Sequence, residues 1–311
     1  MAGDRTAGGA AGRLEAIARA CRVQIVRMLT HAGSGHPGGS LSVIDVLTTL
    51  FFARMRYDAK RPDWPDRDRL VHSKGHAVPA LYAVMAQAGF FPASSLITLR
   101  KLGSPLQGHP DRCALPGIEA ATGSLGQGLS MAVGMALGLR LAASPARVYC
   151  VLGDGEIQEG QVWEAAMSAP KLGQPTRPLD NLVVILDYNK IQLDDFVTKI
   201  LDLEPVIGKW KSFGWPVIEI DGHDVTQIEK ALDQAEVTTG APSFIVAHTV
   251  KGKGVSFMEN DPAWHGKSPK PAEAVDAIRE ILGVGAPAWE AYLGTDAATR
   301  AIVNELRALD R

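Results

Sequence analysis

Apolar positions recur along this chain with two different periods, and the change of period divides it. LEAIARACRVQIVRMLTHA, from Leu14 to Ala32, repeats its apolar residues at helical spacing and stops at Gly33. SLSVIDVLTTLFFARMRYD predicts a second helix with Ser40 as its N-cap, and KGHAVPALYAVMAQAG a third. RPDWPDRDR, residues 61–69, reads as a charged, solvated surface loop, and residues 103–123 hold Gly and Pro without a clear element. SLGQGLSMAVGMALGLRLAA predicts a glycine-rich helix so poor in charge that it should be well buried.

Beyond Arg147 the pattern shortens. RVYCVL, NLVVILD, PVIEI and SFIVAHT are apolar, β-branched runs, separated by the helical stretches QVWEAAMSAPK, EPVIGKWKSFG and DVTQIEKALDQAE. This alternation predicts an α/β fold, a mostly parallel sheet with helices on both faces. From Ser268 onward two or three more helices follow, among them AEAVDAIREIL and ATRAIVNELRALD. The expected organisation is a flexible N-terminus over residues 1–13, one domain over 14–267, and a helical extension over 268–311 packed on it.

Composition narrows the function classes. A net charge of −2 with no long single-sign run argues against nucleic-acid binding. No apolar run reaches the length of a membrane span, and the N-terminus has no secretory h-region. Cys21, Cys113 and Cys150 lie far apart and form no CxxC pair, so they read as reduced thiols of a cytoplasmic protein.

Candidate chemistry sits where strands end. VYCVLGDGEIQEG places Asp154 between two glycines at the tip of an apolar strand, and Asn189 stands at the end of the next one, 35 positions on. Strands joined by one crossover helix lie side by side, so a carboxylate, an amide oxygen and a nearby carbonyl such as that of Ile191 would form a hard oxygen face. Such a face suits Mg²⁺ with phosphate oxygens completing its shell. Taken alone, Gly-Asp-Gly is as well explained by a tight turn with a capping Asp; the second strand end favours a site.

Histidines are placed as unusually as the acid. Five of the eight adjoin glycine: His36, His76, His109, His223 and His265. Side chains on glycine-rich loops reach ligand space, and clustered imidazoles suit proton traffic near neutral pH. No HxH or HxxxH spacing supports a histidine metal site. His223, in DGHD, reads as a turn residue; His31, His72 and His248 read as structural or peripheral. ATGSLGQGLS, residues 121–130, can present backbone N–H groups to an anion at a helix start, although it matches neither GxGxxG nor GxxxxGK[ST]. Lys251 and Lys253 flank a glycine just after SFIVAHT, where a cation fits a phosphate.

Together these segments resemble the transketolases. GDG followed by a distant Asn is similar to the thiamine-diphosphate-binding motif, and SGHPGGS, SKGHAVPALY, QGHPD, TGSLGQGLS and WHGK resemble transketolase loops in the same order, from about Leu14 to Lys267. The resemblance implies that Asp154, Asn189 and the Ile191 carbonyl hold Mg²⁺, with Gly155 against the diphosphate of the cofactor. It implies cofactor contacts for His76, Gly123, Leu125, Lys251 and His265, and substrate-hydroxyl and proton-transfer roles for His36, His109 and His265. Glu159 and Glu164 match acids of the cofactor-proximal subunit interface that link two active sites.

The match extends to only the first half of a full-length transketolase. It therefore implies an N-terminal subunit whose pyrimidine-binding half, with the activating glutamate, lies on a partner chain, assembled as a dimer of heterodimers. The implied reaction moves a two-carbon ketol unit from a ketose phosphate to an aldose phosphate. A ketol transferase for a specialised sugar, the α subunit of a 2-oxo acid dehydrogenase or decarboxylase, and a non-catalytic cofactor-binding scaffold are the alternatives. The last two fit less well, because the SGHPGG and GHAVPALY loops and every metal and histidine position are present.

Overall fold

Residues 7–176 and 178–309 are described by a computed structural model. Five parallel strands form one sheet in the order β1-β2-β3-β5-β4: β1 is Arg69–His72, β2 Val148–Gly153, β3 Leu182–Tyr188, β4 Val217–Asp221 and β5 Ser243–His248. The helices are α1 Ala7–Ala32, α2 Pro37–Thr49, α3 Val78–Gln87, α4 Gln127–Leu141, α5 Gly160–Ser168, α6 Val197–Ile200, α7 Val206–Ser212, α8 Val225–Val237, α9 Pro271–Ile281, α10 Trp289–Thr295 and α11 Ala297–Ala308.

The period of two along each strand builds two cores. Tyr149, Val151, Val183, Ile185 and Ile245 face one side of the sheet, where residues of α1, α2, α3, α8, α9 and α11 pack on them. Their neighbours Cys150, Leu152, Val184, Leu186 and Val246 face the other side and meet Leu129 of α4, Val162 of α5 and Trp210 of α7. Along β2, β3 and β5 both faces are therefore dry, which is why these strands read as unbroken apolar runs rather than as alternating ones. Val303 and Leu306 of α11 join the first core, and Glu305 takes a bidentate pair from Arg27 of α1 at 2.8 and 2.6 Å.

Several local expectations change. Helix α1 begins at Ala7, so residues 7–13 are helical despite three glycines among them, added to a helix nucleated by the packed turns after it. Residues 1–6 of the expected flexible N-terminus lie outside the described residues. Helix α2 begins at Pro37, whose fixed φ suits the first turn, with His36 as the cap residue. Ser40 therefore lies inside the helix, and its hydroxyl donates back to the His36 carbonyl at 2.7 Å.

The run 61–69 is not simply a solvated loop. Its end opens strand β1, and Asp68 is buried, accepting from the backbone N–H groups of Arg56 and Arg147, each at 2.8 Å. Four residues behind a charged run are too few to show a strand period. Helix α4 buries Leu129, Ala132, Val133 and Ala136, while Ser130, Gly134, Gly138 and Leu141 are exposed, so only one face is covered. Cys21, Cys113 and Cys150 are all free thiols. No described helix is long and apolar enough to cross a membrane.

Candidate active site at the strand ends

Strand register brings the candidate groups to one edge. Gly153 of β2 pairs with Asp187 of β3, so the segments beginning at Asp154 and Asn189 leave the sheet side by side. β1 delivers Lys74 and His76 to the same edge, and the segment after β5 delivers Lys251. These loops and those carrying His36, Leu125 and His265 enclose a cleft of about 290 Å³ at the carboxyl ends of the strands, where open α/β sheets hold their ligands.

The three oxygen donors expected for a metal line one part of this cleft. Asp154 is 3% exposed and accepts from the N–H of Gly155 at 2.7 Å and from that of Lys190. Burial, and then the charge of Asp187, push its carboxyl up to about 7. A carboxylate in such surroundings is stabilised by any cation placed beside it. The Asn189 amide oxygen accepts from the Ile191 N–H at 3.1 Å, which fixes its direction, and its nitrogen donates to Asp187 at 3.3 Å. The Ile191 carbonyl accepts from the Lys251 ammonium at 3.0 Å and keeps a second lone pair. One carboxylate, one amide oxygen and one carbonyl suit a hard divalent cation, so the residues fit Mg²⁺. Among the described residues no cluster of three His, Cys, Asp or Glu has metal-holding geometry.

Three imidazoles, those of His36, His76 and His265, form the next wall, and that of His109 stands beside them. The His36 ring centroid lies 5.2 Å from that of His76, 5.4 Å from that of His265 and 6.5 Å from that of His109. His76 and His265 stack at 5.1 Å. Burial first, and then nearby cations, lower His36 to about 4 and His265 to about 3, and hold His76 well below the usual histidine range. Burial and Arg100 also lower the exposed His109. These rings are therefore neutral at pH 7, each with one nitrogen to donate and one to accept. His36 Nδ1 is buried with no hydrogen-bond partner, as is the Gln192 amide nitrogen, and both belong to residues lining the cleft. Buried polar atoms without partners are a cost that a polar ligand can remove.

Two buried carboxylates hold the loops in place. Glu156, 2% exposed, accepts from Ser73 Oγ and from the N–H groups of Gly126 and Gly153, the latter two at 3.1 Å each. One side chain thereby ties the segments that precede Lys74 and His76, follow Leu125, and precede Asp154. Asp187 pairs with Lys74 and accepts from Ser42 at 2.6 Å and from Thr249. Close backbone approach completes the shape. A Cβ on Gly123, where φ is +134°, would lie 2.8 Å from His109, and one on Gly155 would lie 2.8 Å from the Gln192 side chain.

His36, His76, Gly123, Leu125, Asp154, Gly155, Glu159, Asn189, Ile191, Lys251 and His265 thus all line one cleft. His109 stands beside it through its contacts with Gly123 and His36. Glu164 does not join them: it lies on the exposed face of α5. Sequence reasoning missed Lys74, Glu156, Asp187 and Gln192. For Lys74 the available signal was its place beside Gly75 and His76, but the strand in front of it went unseen. The other three carry no motif of their own.

Comparison with known proteins adds to this geometry. The family described as "Transketolase, thiamine diphosphate binding domain" matches residues 14–292. A 6-deoxy-6-sulfo-D-fructose transketolase subunit from a Clostridium species is 47% identical over 249 residues, covering 78% of this chain and 89% of that one. An apulose-4-phosphate transketolase subunit from Phocaeicola vulgatus is 39% identical, covering 84% and 90%. The transketolase structure from Leishmania mexicana superposes with a TM-score of 0.82 at 33% identity, covering 87% of this chain but 41% of that one. The chain thus spans nine-tenths of relatives named as subunits and less than half of that longer transketolase.

Proposed function

The chain belongs to the transketolase family, matching its thiamine-diphosphate-binding domain, and from that premise we propose that it is the N-terminal subunit of a two-chain transketolase. In this reading it transfers a two-carbon ketol unit from a ketose phosphate to an aldose phosphate, using thiamine diphosphate and Mg²⁺. The single observation that carries the reading is the convergence of the Asp154, Asn189 and Ile191 oxygen donors with His36, His76 and His265 on one cleft.

Asp154, Asn189 and the Ile191 carbonyl would hold the metal, with Gly155 leaving room for the diphosphate. Thiamine diphosphate, when bound, supplies the carbon centre that takes up the donor ketone and stores electrons during C–C cleavage. This chain's residues supply position and proton traffic. His36 and His109, neutral at pH 7, can each accept a proton from a sugar hydroxyl or donate a hydrogen bond to its oxygen, while His265, also neutral, can donate one. Lys251 Nζ donates to His265 Nδ1 at 2.7 Å, so the other ring nitrogen of His265 carries the proton and is a donor.

Support for a partner subunit comes from the relatives named as subunits, which this chain matches along nine-tenths of their length. The pyrimidine-binding half would then be a separate polypeptide, and a dimer of heterodimers, at work in the cytoplasm, completes the proposal. Glu159, exposed at the start of α5, and Glu164 on the same helix are the acids proposed for that interface. A second reading, a specialised sugar as substrate, is favoured by the 6-deoxy-6-sulfo-D-fructose and apulose-4-phosphate in those relatives' names.

The test is reconstitution. The chain mixed with its candidate partner is expected to convert xylulose and ribose phosphates, or a sulfonated or branched ketose from a substrate panel, with strict need for thiamine diphosphate and Mg²⁺. Cofactor uptake with no turnover of any sugar would favour a scaffold; robust transfer by the purified single chain would refute the split assembly.

A further inference from the structure

His223, expected from its sequence to be only a turn residue, occupies a buried junction between three elements. Its Nδ1 lies 2.8 Å from Oδ2 of Asp45 on α2, and Asp45 is also held by both terminal nitrogens of Arg22 on α1, at 3.0 and 2.5 Å. On the opposite side of the ring, the backbone N–H of Val250 donates to Nε2 at 2.9 Å. A backbone amide can only donate, so Nε2 is the bare nitrogen, and Nδ1 carries the proton and donates a hydrogen bond to Asp45. The tautomer is therefore fixed by its two neighbours. Asp45 is 5% exposed, and the side chains of His223 and Arg22 are 14% and 12% exposed, so solvent competes weakly for these bonds.

The residue after Val250 is Lys251. Its ammonium donates to the carbonyls of Ile191 and Gln192 at 3.0 and 3.2 Å and to His265 Nδ1 at 2.7 Å. A second tie from the same ion pair reaches the other end of this turn, where Arg22 Nε donates to the Lys253 carbonyl at 3.3 Å. The Arg22–Asp45–His223 group thus fixes the backbone on both sides of Lys251 from behind, without entering the cleft.

We propose that His223, oriented by Asp45 and Arg22, is a positioning residue for thiamine-diphosphate binding: its bare Nε2 holds the Val250 amide and so sets Lys251 against Ile191 and His265. The inference rests on the proposed cofactor-binding role of the cleft and extends it to a residue outside the cleft. It makes the acceptor at Nε2, rather than the charge partner of Asp45, the part that matters.

Two amide substitutions separate those roles. In His223→Gln the side-chain oxygen reaches the place of Nε2 and can still accept from Val250; in His223→Asn the shorter amide can still donate to Asp45 but cannot reach Val250. Thiamine diphosphate is titrated calorimetrically, with Mg²⁺ present, into the chain assembled with its partner subunit. Exchange of the 249–253 amides is followed by mass spectrometry. His223→Asn is expected to weaken binding about tenfold, the equivalent of one buried hydrogen bond, and to speed exchange of those amides. His223→Gln is expected to stay within about twofold of the parent in both. Equal affinity in all three proteins, or Gln weaker than Asn, would overturn the proposal while leaving the cofactor reading intact. If His223→Asn does not fold, a tenfold loss in His223→Gln is the overturning result and parental affinity the supporting one. Absence of cofactor binding by the parent itself would remove the cofactor reading, and this proposal with it.

Discussion

The Lys74 ammonium lies directly against the Asp187 carboxylate at the edge of the sheet, with side-chain exposures of 1% and 0%. Burial alone would push the Asp187 carboxyl upward, but Lys74, Ser42 and Thr249 together hold it below the usual carboxylate range. The pair joins the loop after β1 to the end of β3, so the two strands that carry His76 and Asn189 cannot shift independently.

Removing one partner leaves a buried charge unpaired, which costs more than the pair is worth. Lys74→Met is expected to destabilise the fold by about 3–5 kcal/mol. Adding Asp187→Asn to it should restore most of that loss. Urea unfolding midpoints of the single and double variants at pH 7 measure both numbers. A double variant no more stable than Lys74→Met would show that the carboxylate is supported without the lysine.

Asp154→Asn removes the one carboxylate among the proposed metal donors while keeping its shape. Its carboxyl is pushed up to about 7 by burial and by the Asp187 charge, and a divalent cation would reverse that shift. The variant is expected to lose Mg²⁺-dependent thiamine diphosphate uptake by at least about 100-fold, the scale of losing a charged ligand. It should fold at least as stably as the parent without metal, because a repulsive buried charge is gone. Calorimetry with and without Mg²⁺, beside a thermal unfolding scan, separates these effects; unchanged uptake would sink the metal assignment.

The half-buried histidines of the cleft set an acid limit. His36 falls from an ordinary 6.5 to about 4 and His265 to about 3 on folding, burial being the main cause in each. Between those values and 6.5 the unfolded chain takes up protons that the folded chain does not, so stability is full above 6.5 and falls as pH drops towards 4 and then 3. His36→Gln and His265→Gln should each flatten part of that slope, read as unfolding midpoints measured from pH 7.5 to 4. A slope unchanged in both variants would mean that these rings titrate alike in the folded and unfolded chains.

How much of this was legible beforehand depended on the kind of signal. Strands β2 and β3 are buried on both faces, so their apolar runs were plain, and the one-crossover rule made Asp154 and Asn189 neighbours. Glycine-flanked histidines marked the loops of the cleft, and His36, His76 and His265 do meet there. Strand β1 was hidden because four residues behind an Arg- and Asp-rich run show no period, and with it went Lys74. Glu156 and Asp187 act through hydrogen bonds to residues distant in the chain, which no local pattern records. His223 could be read as a turn residue because its partners Asp45 and Val250 are 178 and 27 positions away.

Gly123 offers a test of how closely backbone and histidine are fitted. Its φ of +134° is a conformation that L side chains rarely adopt, and an added Cβ would lie 2.8 Å from His109 Cδ2 and 2.9 Å from Cγ. Gly123→Ala therefore combines backbone strain of about 1–3 kcal/mol with displacement of an imidazole proposed to meet the substrate. Gly214→Ala is the matched control: φ there is +95°, but only Pro170 Cβ approaches, at 3.9 Å, and the site lies outside the cleft. Both variants are expected to lose comparable stability in urea. Only Gly123→Ala should lower kcat for ketol transfer in the reconstituted enzyme, by about 100-fold or more, the scale of a general acid–base group. Equal kcat in the two would mean that His109 accommodates the methyl group by moving without loss, and its place in proton transfer would have to be given up.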